Sequence, residues 1–308
     1  MNTCHIPKKV VPLHKIRNIM KELYYQVAGH VFSLATGEQD DIEKGLQPYE
    51  PFVVQPTKDV TFSLQITDAL PSDDGFVVEF RQQDEGQEIV SGRMPDGRSR
   101  VEFWLRQERS AILTFHEDYS QGEVYLEKNS SYGINNAIMV TYALATANLR
   151  TALFHSSVVS YKGKAYMFLG QSGTGKSTHS SLWLKYIEGT ELVNDDNPVV
   201  RILDNGEVWL YGSPWSGKTP CYRNVSYPLG ALVNLSQAPE NKIRRMKGIE
   251  SYASLIGSIS GKRWDPQVAE GLHETEKLLA ENVPVWHLDC LPDEAAARLC
   301  CQTTSSPR

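Results

Sequence analysis

One stretch of the chain combines the residue types that hold nucleotide phosphates. Residues 170–178 have the sequence GQSGTGKST, which fits the pattern G-x-x-x-x-G-K-[ST]. In this pattern glycines turn backbone N–H groups towards phosphate oxygens, the lysine reaches the outer phosphates, and the Ser or Thr hydroxyl ligates Mg²⁺. The sequence therefore predicts a nucleotide site, called the phosphate loop below. Its predicted binding residues are Gly170, Ser172, Gly173, Thr174, Gly175, Lys176, Ser177 and Thr178.

The segments on either side of the phosphate loop fit this role. Residues 165–169, AYMFL, form a short apolar run that predicts a buried strand, and residues 181–187, SLWLKYI, are compatible with a helix. A helix that starts at the loop directs the positive end of its dipole at a bound anion. The expected unit is therefore a strand, the phosphate loop and a helix.

An acidic pair follows this unit. Asp195 and Asp196 come after a short apolar segment, about twenty residues beyond Lys176. A carboxylate at the C-terminal end of a strand beside the phosphate loop is placed to hold Mg²⁺. Adjacent side chains on extended backbone point to opposite sides, so the two acids can take different roles. The alternative is a solvated turn over residues 194–198, but the phosphate loop nearby favours the functional interpretation.

Two further elements could act on a phosphoryl group. His155 precedes Gly170 by fifteen residues, on a strand predicted over residues 153–161 that forms a hairpin with the strand before the phosphate loop. A single His on a strand can equally be structural. The loop after residue 212 carries Lys218 and Arg223, either of which could stabilise the charge of a transferring phosphate. The alternative for both is an ordinary surface cation.

Composition and charge restrict the class of protein. The 308 residues are 41% hydrophobic and 22% charged, which is typical of a globular protein with one large or two modest domains. The net charge of −6, without a block of like charges, gives no support for binding nucleic acid or a membrane surface. No apolar run has membrane-spanning length, and no signal peptide is expected. Five cysteines without a C-x-x-C pair predict reduced thiols and a cytoplasmic location.

The sequence pattern changes near residue 129. Alternating hydrophobicity and turn residues predict a mostly β domain over residues 1–129, for which no role is evident. From residue 130 strands and helices mix, which predicts an α/β nucleotide-binding domain over residues 130–308 that begins with a helix capped at Ser130 or Ser131. A guanine-reading N-K-x-D element is missing, since residues 241–244 are NKIR, and a Ras-type GTPase is not expected.

The order of these motifs resembles a known superfamily. Residues 155–157 (HSS), the phosphate loop and residues 192–197 (LVNDDN) resemble the C-terminal domain of HPr kinase/phosphorylase and the nucleotide core of phosphoenolpyruvate carboxykinases. The resemblance is firm over about residues 150–200. Residues 214–218 (PWSGK) and 283–293 (VPVWHLDCLPD) are similar to small HPr-kinase-related kinases, some of which phosphorylate hydroxyls on peptides or free serine.

The resemblance implies an ATP- and Mg²⁺-dependent kinase with a P-loop core. Lys176 would grip phosphate, and Ser177 and Asp195 would hold the metal. Asp196 would take the proton of the acceptor hydroxyl, and His155 would lie beside the reacting phosphate, or ligate a metal as in the carboxykinases. Arg223 is the further expected catalytic cation. The implied partners are a nucleotide and a hydroxyl-bearing protein, peptide or small molecule, while a homo-oligomer is left open.

The chain departs from the family pattern in two places. The acid that HPr kinases carry shortly before Arg-Gly is not evident, because residues 208–212 are VWLYG, so HPr itself is not the expected acceptor. The chain is much shorter than a carboxykinase, and the basic residues that bind phosphoenolpyruvate cannot be placed. Two alternatives therefore stay open, a non-catalytic nucleotide-binding sensor and, with less support, a small carboxykinase-like enzyme. The acceptor and the choice between ATP and GTP are also open.

Overall fold

The structure is a computed structural model that describes residues 21–37, 40–217 and 219–306. The first of its two sheets is formed by β1 (Lys21–Val27), β2 (His30–Thr36), β3 (Phe62–Thr67), β4 (Val77–Asp84), β5 (Gln87–Arg93), β6 (Ser99–Leu105), β7 (Glu108–Phe115) and β8 (Gln121–Leu126). These eight strands are arranged in the order β1-β2-β3-β8-β7-β6-β5-β4. The pairs β2–β3 and β3–β8 are parallel, and the others are antiparallel.

The second sheet carries the predicted site. Its strands are β9 (Thr151–Leu153), β10 (Ser156–Tyr161), β11 (Lys164–Leu169), β12 (Glu191–Asp196), β13 (Val199–Ile202), β14 (Val208–Tyr211), β15 (Ser226–Gln237), β16 (Lys242–Arg245) and β17 (Val285–Cys290). The strand order is β12-β10-β11-β15-β14-β13-β9, and β17 pairs with both β15 and β16. Strands β11, β15 and β17 are parallel, so their C-terminal ends lie at one edge, where ligands bind in α/β sheets.

The helices are α1 (Asp40–Leu46), α2 (Ser130–Ala145), α3 (Lys176–Tyr186), α4 (Ile249–Ile256), α5 (Pro266–Asn282) and α6 (Glu294–Ser305), with 3₁₀ turns at Gln47–Phe52 and Ala147–Leu149. Helix α5 has a strong start signal, because the Asp265 carboxylate accepts from backbone N–H groups and Pro266 begins the helix. Helix α2 begins at Ser130, but its N-cap is Asn129 in a left-handed conformation without a side-chain cap bond. The predicted serine cap is therefore wrong. The α/β class is confirmed.

The predicted strand over residues 153–161 is divided in the structure. Strand β9 pairs with β13, whereas β10 pairs with β11 and β12, so the chain changes partners at Phe154 and His155. His155 therefore precedes β10 instead of lying within a strand, and its backbone N–H donates to the carbonyl of Ser258 at 2.7 Å. Hydrophobic alternation alone does not reveal this bend, because the residues on both sides of it are buried.

Helix α2 packs against the first sheet, and one buried apolar cluster includes residues of both sheets. Polar contacts also join the sheets: His30 Nε2 lies 2.8 Å from Thr151 Oγ1, and the Arg201 guanidinium donates to the carbonyl of Ala28 at 2.7 Å. A second, smaller cluster lies between β11, β15 and the helices α3 and α6. The division of the chain near residue 129 stays a prediction.

The described helices and cysteines bear on two expectations, that no segment spans a membrane and that the cysteines are reduced. None of these helices is both long and apolar enough to cross a membrane. Cys221, Cys290, Cys300 and Cys301 are free thiols, whereas Cys4 lies outside the described residues. Burial raises the pKa of the Cys300 thiol. A thiol with a raised pKa is a poor nucleophile, which supports an inert role for this end of the chain.

Candidate functional site

The phosphate loop connects β11 to α3 through backbone that only glycine adopts easily. Gly170, Gly173 and Gly175 have φ angles of 147°, 81° and 103°. A Cβ atom on Gly170 would lie 2.6 Å from the Thr174 hydroxyl oxygen. The glycines of the motif are therefore required by the shape of the loop itself.

The N-terminus of α3 offers free donors towards the loop. The helix begins at Lys176, and its N-cap Gly175 has no side chain to satisfy the first backbone N–H groups. Ser172, Ser177 and Thr178 are exposed. Unpaired N–H groups at a helix N-terminus, together with the helix dipole, form a site for an anion.

Lys176 lies inside the turn. Its side-chain ammonium donates to the carbonyls of Gly170 at 3.0 Å and Gln171 at 3.3 Å, and the residue is 8% exposed. Burial lowers the pKa of Lys176, whereas the carboxylates of Asp196 and Asp195 raise it. The charge of the lysine therefore lies inside the turn, near enough to the acidic pair to interact with both carboxylates.

A hydrogen bond joins the phosphate loop to the acidic pair. The Ser177 hydroxyl donates to the Asp195 carboxylate at 2.9 Å, across the gap between α3 and the end of β12. Within the described residues, no group of three His, Cys, Asp or Glu side chains could hold a metal ion. One hydroxyl and one carboxylate are nevertheless the oxygen ligands that Mg²⁺ takes when phosphates and water fill its other positions. The donor set of Ser177 and Asp195 therefore fits Mg²⁺.

Asp196 ends β12 in an unusual backbone conformation. Its φ of 147° lies in a region that non-glycine residues rarely adopt and that costs about 1–3 kcal/mol. Strand pairing with Ser156 and a bridge to Ser216 hold it there. A Cβ atom on Gly217 would lie 3.1 Å from the Asp196 Cβ, so the loop after β14 packs closely on this acid. Strained residues that are fixed from several sides are common at active sites.

His155 lies beside Asp196. The His155 Nδ1 is 3.7 Å from an Asp196 carboxylate oxygen, which is longer than a hydrogen bond. Burial lowers the pKa of His155, and Lys176 lowers it further. Burial also raises the pKa of Asp196, with a smaller contribution from the neighbouring Asp195. The structure therefore brings Lys176, Ser177, Asp195, Asp196 and His155 together at one edge of the second sheet.

The structure adds a set of buried residues behind the acidic pair. The Asn194 amide donates to the Ser213 hydroxyl at 3.1 Å and to the Trp215 carbonyl at 3.2 Å. The Trp215 indole N–H donates to the Tyr49 hydroxyl at 2.8 Å, and both residues are nearly fully buried. Tyr49 lies in the 3₁₀ turn after α1, 166 positions away in the chain. The sequence places Asn194 directly before the acids and Trp215 in the segment PWSGK, but no local signal links either residue to Tyr49.

The cations expected to act on the phosphate, in the loop after β14, are not found beside the acidic pair in the described residues. The Arg223 guanidinium donates to the Leu192 carbonyl at 2.6 Å and to the Glu191 carboxylate at 2.7 Å. Glu191 and Leu192 begin β12, whereas Asp196 ends it. At about 3.3 Å per residue, four residues separate Leu192 from Asp196 by roughly 13 Å. Arg223 is therefore not brought to the acidic pair, and Lys218 lies outside the described residues.

Comparison with known proteins gives a weak structural likeness and no sequence match. No family model matches the chain, and no curated protein matches its sequence. The solved structure of the HPr(Ser) kinase/phosphatase from Coxiella burnetii matches with 14% identity over 50% of this chain and 99% of that chain, at a TM-score of 0.29. A TM-score of this size carries no argument about fold or activity. The residues of the site must therefore support any function on their own.

Proposed function

We propose that the chain is an ATP- and Mg²⁺-dependent kinase that transfers the γ-phosphate to a hydroxyl group of a protein, peptide or small molecule. The hydrogen bond of 2.9 Å between Ser177 and Asp195 carries this proposal, because it joins the phosphate loop to the acidic pair. In fold terms, the proposal is a P-loop core of the HPr kinase and phosphoenolpyruvate carboxykinase type. The motif resemblance over residues 150–200 supports it.

The donor would be held by the phosphate loop and the start of α3. Backbone N–H groups would donate to phosphate oxygens, and the Lys176 ammonium would exchange its carbonyl partners for them. Ser177 and Asp195 would hold Mg²⁺, which when bound neutralises charge on the phosphates. These groups position the donor, and positioning with charge neutralisation is most of what phosphoryl transfer requires.

The acceptor would approach from the side of Asp196. The acceptor hydroxyl oxygen would form a bond to the γ-phosphorus while its proton passes to the Asp196 carboxylate. The bond between the γ-phosphorus and the oxygen bridging to the β-phosphate would break, and ADP would leave. His155, with its lowered pKa, would be neutral at pH 7 and would lie beside the reacting phosphate.

Incubation of the protein with γ-labelled ATP, Mg²⁺ and lysate of the source cells tests this function. The expected result is a labelled protein, peptide or small molecule. Asp196→Asn should keep nucleotide affinity within about threefold and lower transfer by about 10²–10⁴-fold, as expected for loss of a general base. Asp204→Asn, which removes an exposed acid from the turn between β13 and β14, is the matched control. Transfer that is unchanged in Asp196→Asn would contradict the assigned base.

The position of Arg223 favours a second candidate, a non-catalytic nucleotide sensor. Arg223 was the further cation expected to stabilise the charge of a transferring phosphate, and its guanidinium lies at the far end of β12. A sensor would bind ATP and give no labelled product in the same incubation. A labelled product that disappears in Asp196→Asn would exclude the sensor.

A further inference from the structure

A cleft adjoins the phosphate loop on the flank away from the acidic pair. It has a volume of about 330 Å³ and shares Gly170, Gln171 and Thr174 with the loop. Its remaining wall comes from the C-terminal part of β15, from β17, from the segment between β16 and α4, and from α4 itself. Small-molecule sites have volumes of about 300–1,000 Å³, so the cleft is large enough for part of a nucleotide.

The strand order places the cleft and the acidic pair on opposite sides of the phosphate loop. Strand β11, which leads into the loop, pairs with β10 on one side and with β15 on the other. Asp196 pairs with Ser156 of β10, whereas the cleft residues Asn234 and His287 are paired neighbours on β15 and β17. A triphosphate with its terminal group towards Asp196 would therefore extend its other end towards the cleft.

The lining of the cleft fits a neutral, flat ligand. Leu235 and Met246 give it apolar surface, and Ser254 contributes a hydroxyl. None of the described residues that line it is Asp, Glu, Lys or Arg. A charged acceptor would be poorly matched by these walls, whereas a nucleoside has apolar ring faces and neutral polar edges. The cleft thus suits the donor better than the acceptor.

The side chain of Asn234 supplies a recognition group. Its amide nitrogen is buried and has no hydrogen-bond partner among the described residues. A buried donor that stays unpaired costs about 1–3 kcal/mol. Rotation of the carboxamide exchanges its donor and acceptor positions at the cleft wall. An Asn carboxamide pairs with adenine through N6 and N7, while guanine presents two acceptors at the same edge.

Resting on the proposed function, we propose that this cleft binds the nucleoside of the donor and that Asn234 recognises adenine. The site then divides into three parts along one edge of the second sheet. The cleft binds the base and sugar, the phosphate loop binds the phosphates, and the space beside Asp196 receives the acceptor. The donor preferred by the protein is an adenine nucleotide.

The test compares binding of Mg²⁺ complexes of tripolyphosphate and of the β,γ-imido analogues of ATP and GTP by calorimetry. Tripolyphosphate would contact the phosphate loop alone. The ratio of its dissociation constant to that of the ATP analogue therefore measures how much the cleft contributes to nucleotide affinity. We expect a ratio of at least about tenfold in the unmodified protein. Ser254→Trp should bring it close to one without changing tripolyphosphate affinity. Ala253→Trp, on the exposed neighbouring position of α4, should leave the ratio unchanged.

A second variant tests the base preference independently of the volume of the cleft. Asn234→Leu keeps the size of the side chain and should remove a preference for the ATP over the GTP analogue of about 5–150-fold, the range of one bidentate pair. The cleft is not the nucleoside site if Ser254→Trp leaves the ratio of tripolyphosphate to ATP analogue unchanged and Asn234→Leu leaves the preference for the ATP over the GTP analogue unchanged. If tripolyphosphate does not bind the unmodified protein, the phosphate loop assignment itself is wrong, which distinguishes the two failures.

Discussion

The phosphate loop and the surroundings of Asp196 are built in different ways. The loop is contiguous in sequence, and its shape follows from three left-handed glycines and the bonds of Lys176 to its own turn. Asp196 is fixed by β10, by the loop after β14, and through Trp215 by Tyr49 near the first sheet. Under the proposed function, phosphate binding would depend on local sequence, whereas reaction with an acceptor would depend on contacts between distant parts of the chain.

Loss of the lysine of the phosphate loop should have the largest effect on nucleotide binding. Lys176→Ala removes the charge-assisted hydrogen bonds to phosphate, each of which contributes about 1.5–3 kcal/mol, so binding of the ATP analogue should weaken about 100-fold. Lys185→Ala, at the exposed end of the same helix, is the control. Calorimetry of both variants measures the difference. Equal affinity in Lys176→Ala and the unmodified protein would remove the lysine from the phosphate site.

The next effect concerns the contact between the two sheets. Burial, together with Arg201, lowers the pKa of His30 to about 4. Below pH 6.5 the unfolded chain takes up a proton that the folded His30 does not, so unfolding free energy is lost progressively as the pH falls from 6.5 to about 4. His30→Gln should therefore reduce the loss of unfolding free energy between pH 7 and 4.5 by about 2 kcal/mol.

Urea unfolding at the two pH values measures this change in unfolding free energy. His116→Gln removes an exposed histidine and serves as the control, with the same loss as the unmodified protein. The buried His179, whose pKa burial also lowers to about 4, should retain its own share of the acid sensitivity in both variants. If His30→Gln loses as much unfolding free energy between the two pH values as the unmodified protein, protonation of His30 does not contribute to acid sensitivity.

A smaller effect separates acceptor chemistry from donor binding. Trp215→Phe removes the bond to the Tyr49 hydroxyl, which contributes about 0.5–1.5 kcal/mol. Phosphoryl transfer should fall by up to about tenfold, while affinity for the ATP analogue stays within about twofold. Trp209→Phe, whose indole N–H donates to Glu207 on an exposed hairpin, is the control. A parallel fall in binding and transfer would mean that the two regions are not separable.

The smallest expected effect lies at the far end of β12. Arg223→Gln should change transfer by less than about threefold, because the guanidinium pairs with Glu191 at the surface and exposed pairs contribute about 0–1 kcal/mol. Glu191→Gln, which removes the partner, should behave alike. A much larger loss of transfer in Arg223→Gln alone would show that the arginine reaches the phosphate during the reaction and would restore its expected role.

The comparison of the two regions also explains what the sequence could predict. Strand, loop and helix around residues 170–178 are set by short-range geometry, and the motif gives them directly. The order of the motifs indicated that the strand before the acidic pair lies beside the phosphate loop, but it did not indicate that β10 lies between β12 and β11. The contact of Trp215 with Tyr49 has no local signal, because it depends on how the two sheets pack. The expected role of Arg223 was wrong for the same reason. The charge of a residue and its distance from the motif in sequence do not show where its side chain lies in the fold.

The bonds of Lys176 to the carbonyls of Gly170 and Gln171 have a consequence for selectivity among anions. These carbonyls act as internal competitors for the ammonium, and a ligand must replace both of them. A singly bound anion such as sulfate gains one such contact and has little advantage over the internal partners. A polyphosphate that also accepts hydrogen bonds from the N–H groups of the turn gains several contacts at once. Under the proposed function, the loop would therefore bind extended polyphosphates in preference to the small anions abundant in a cell.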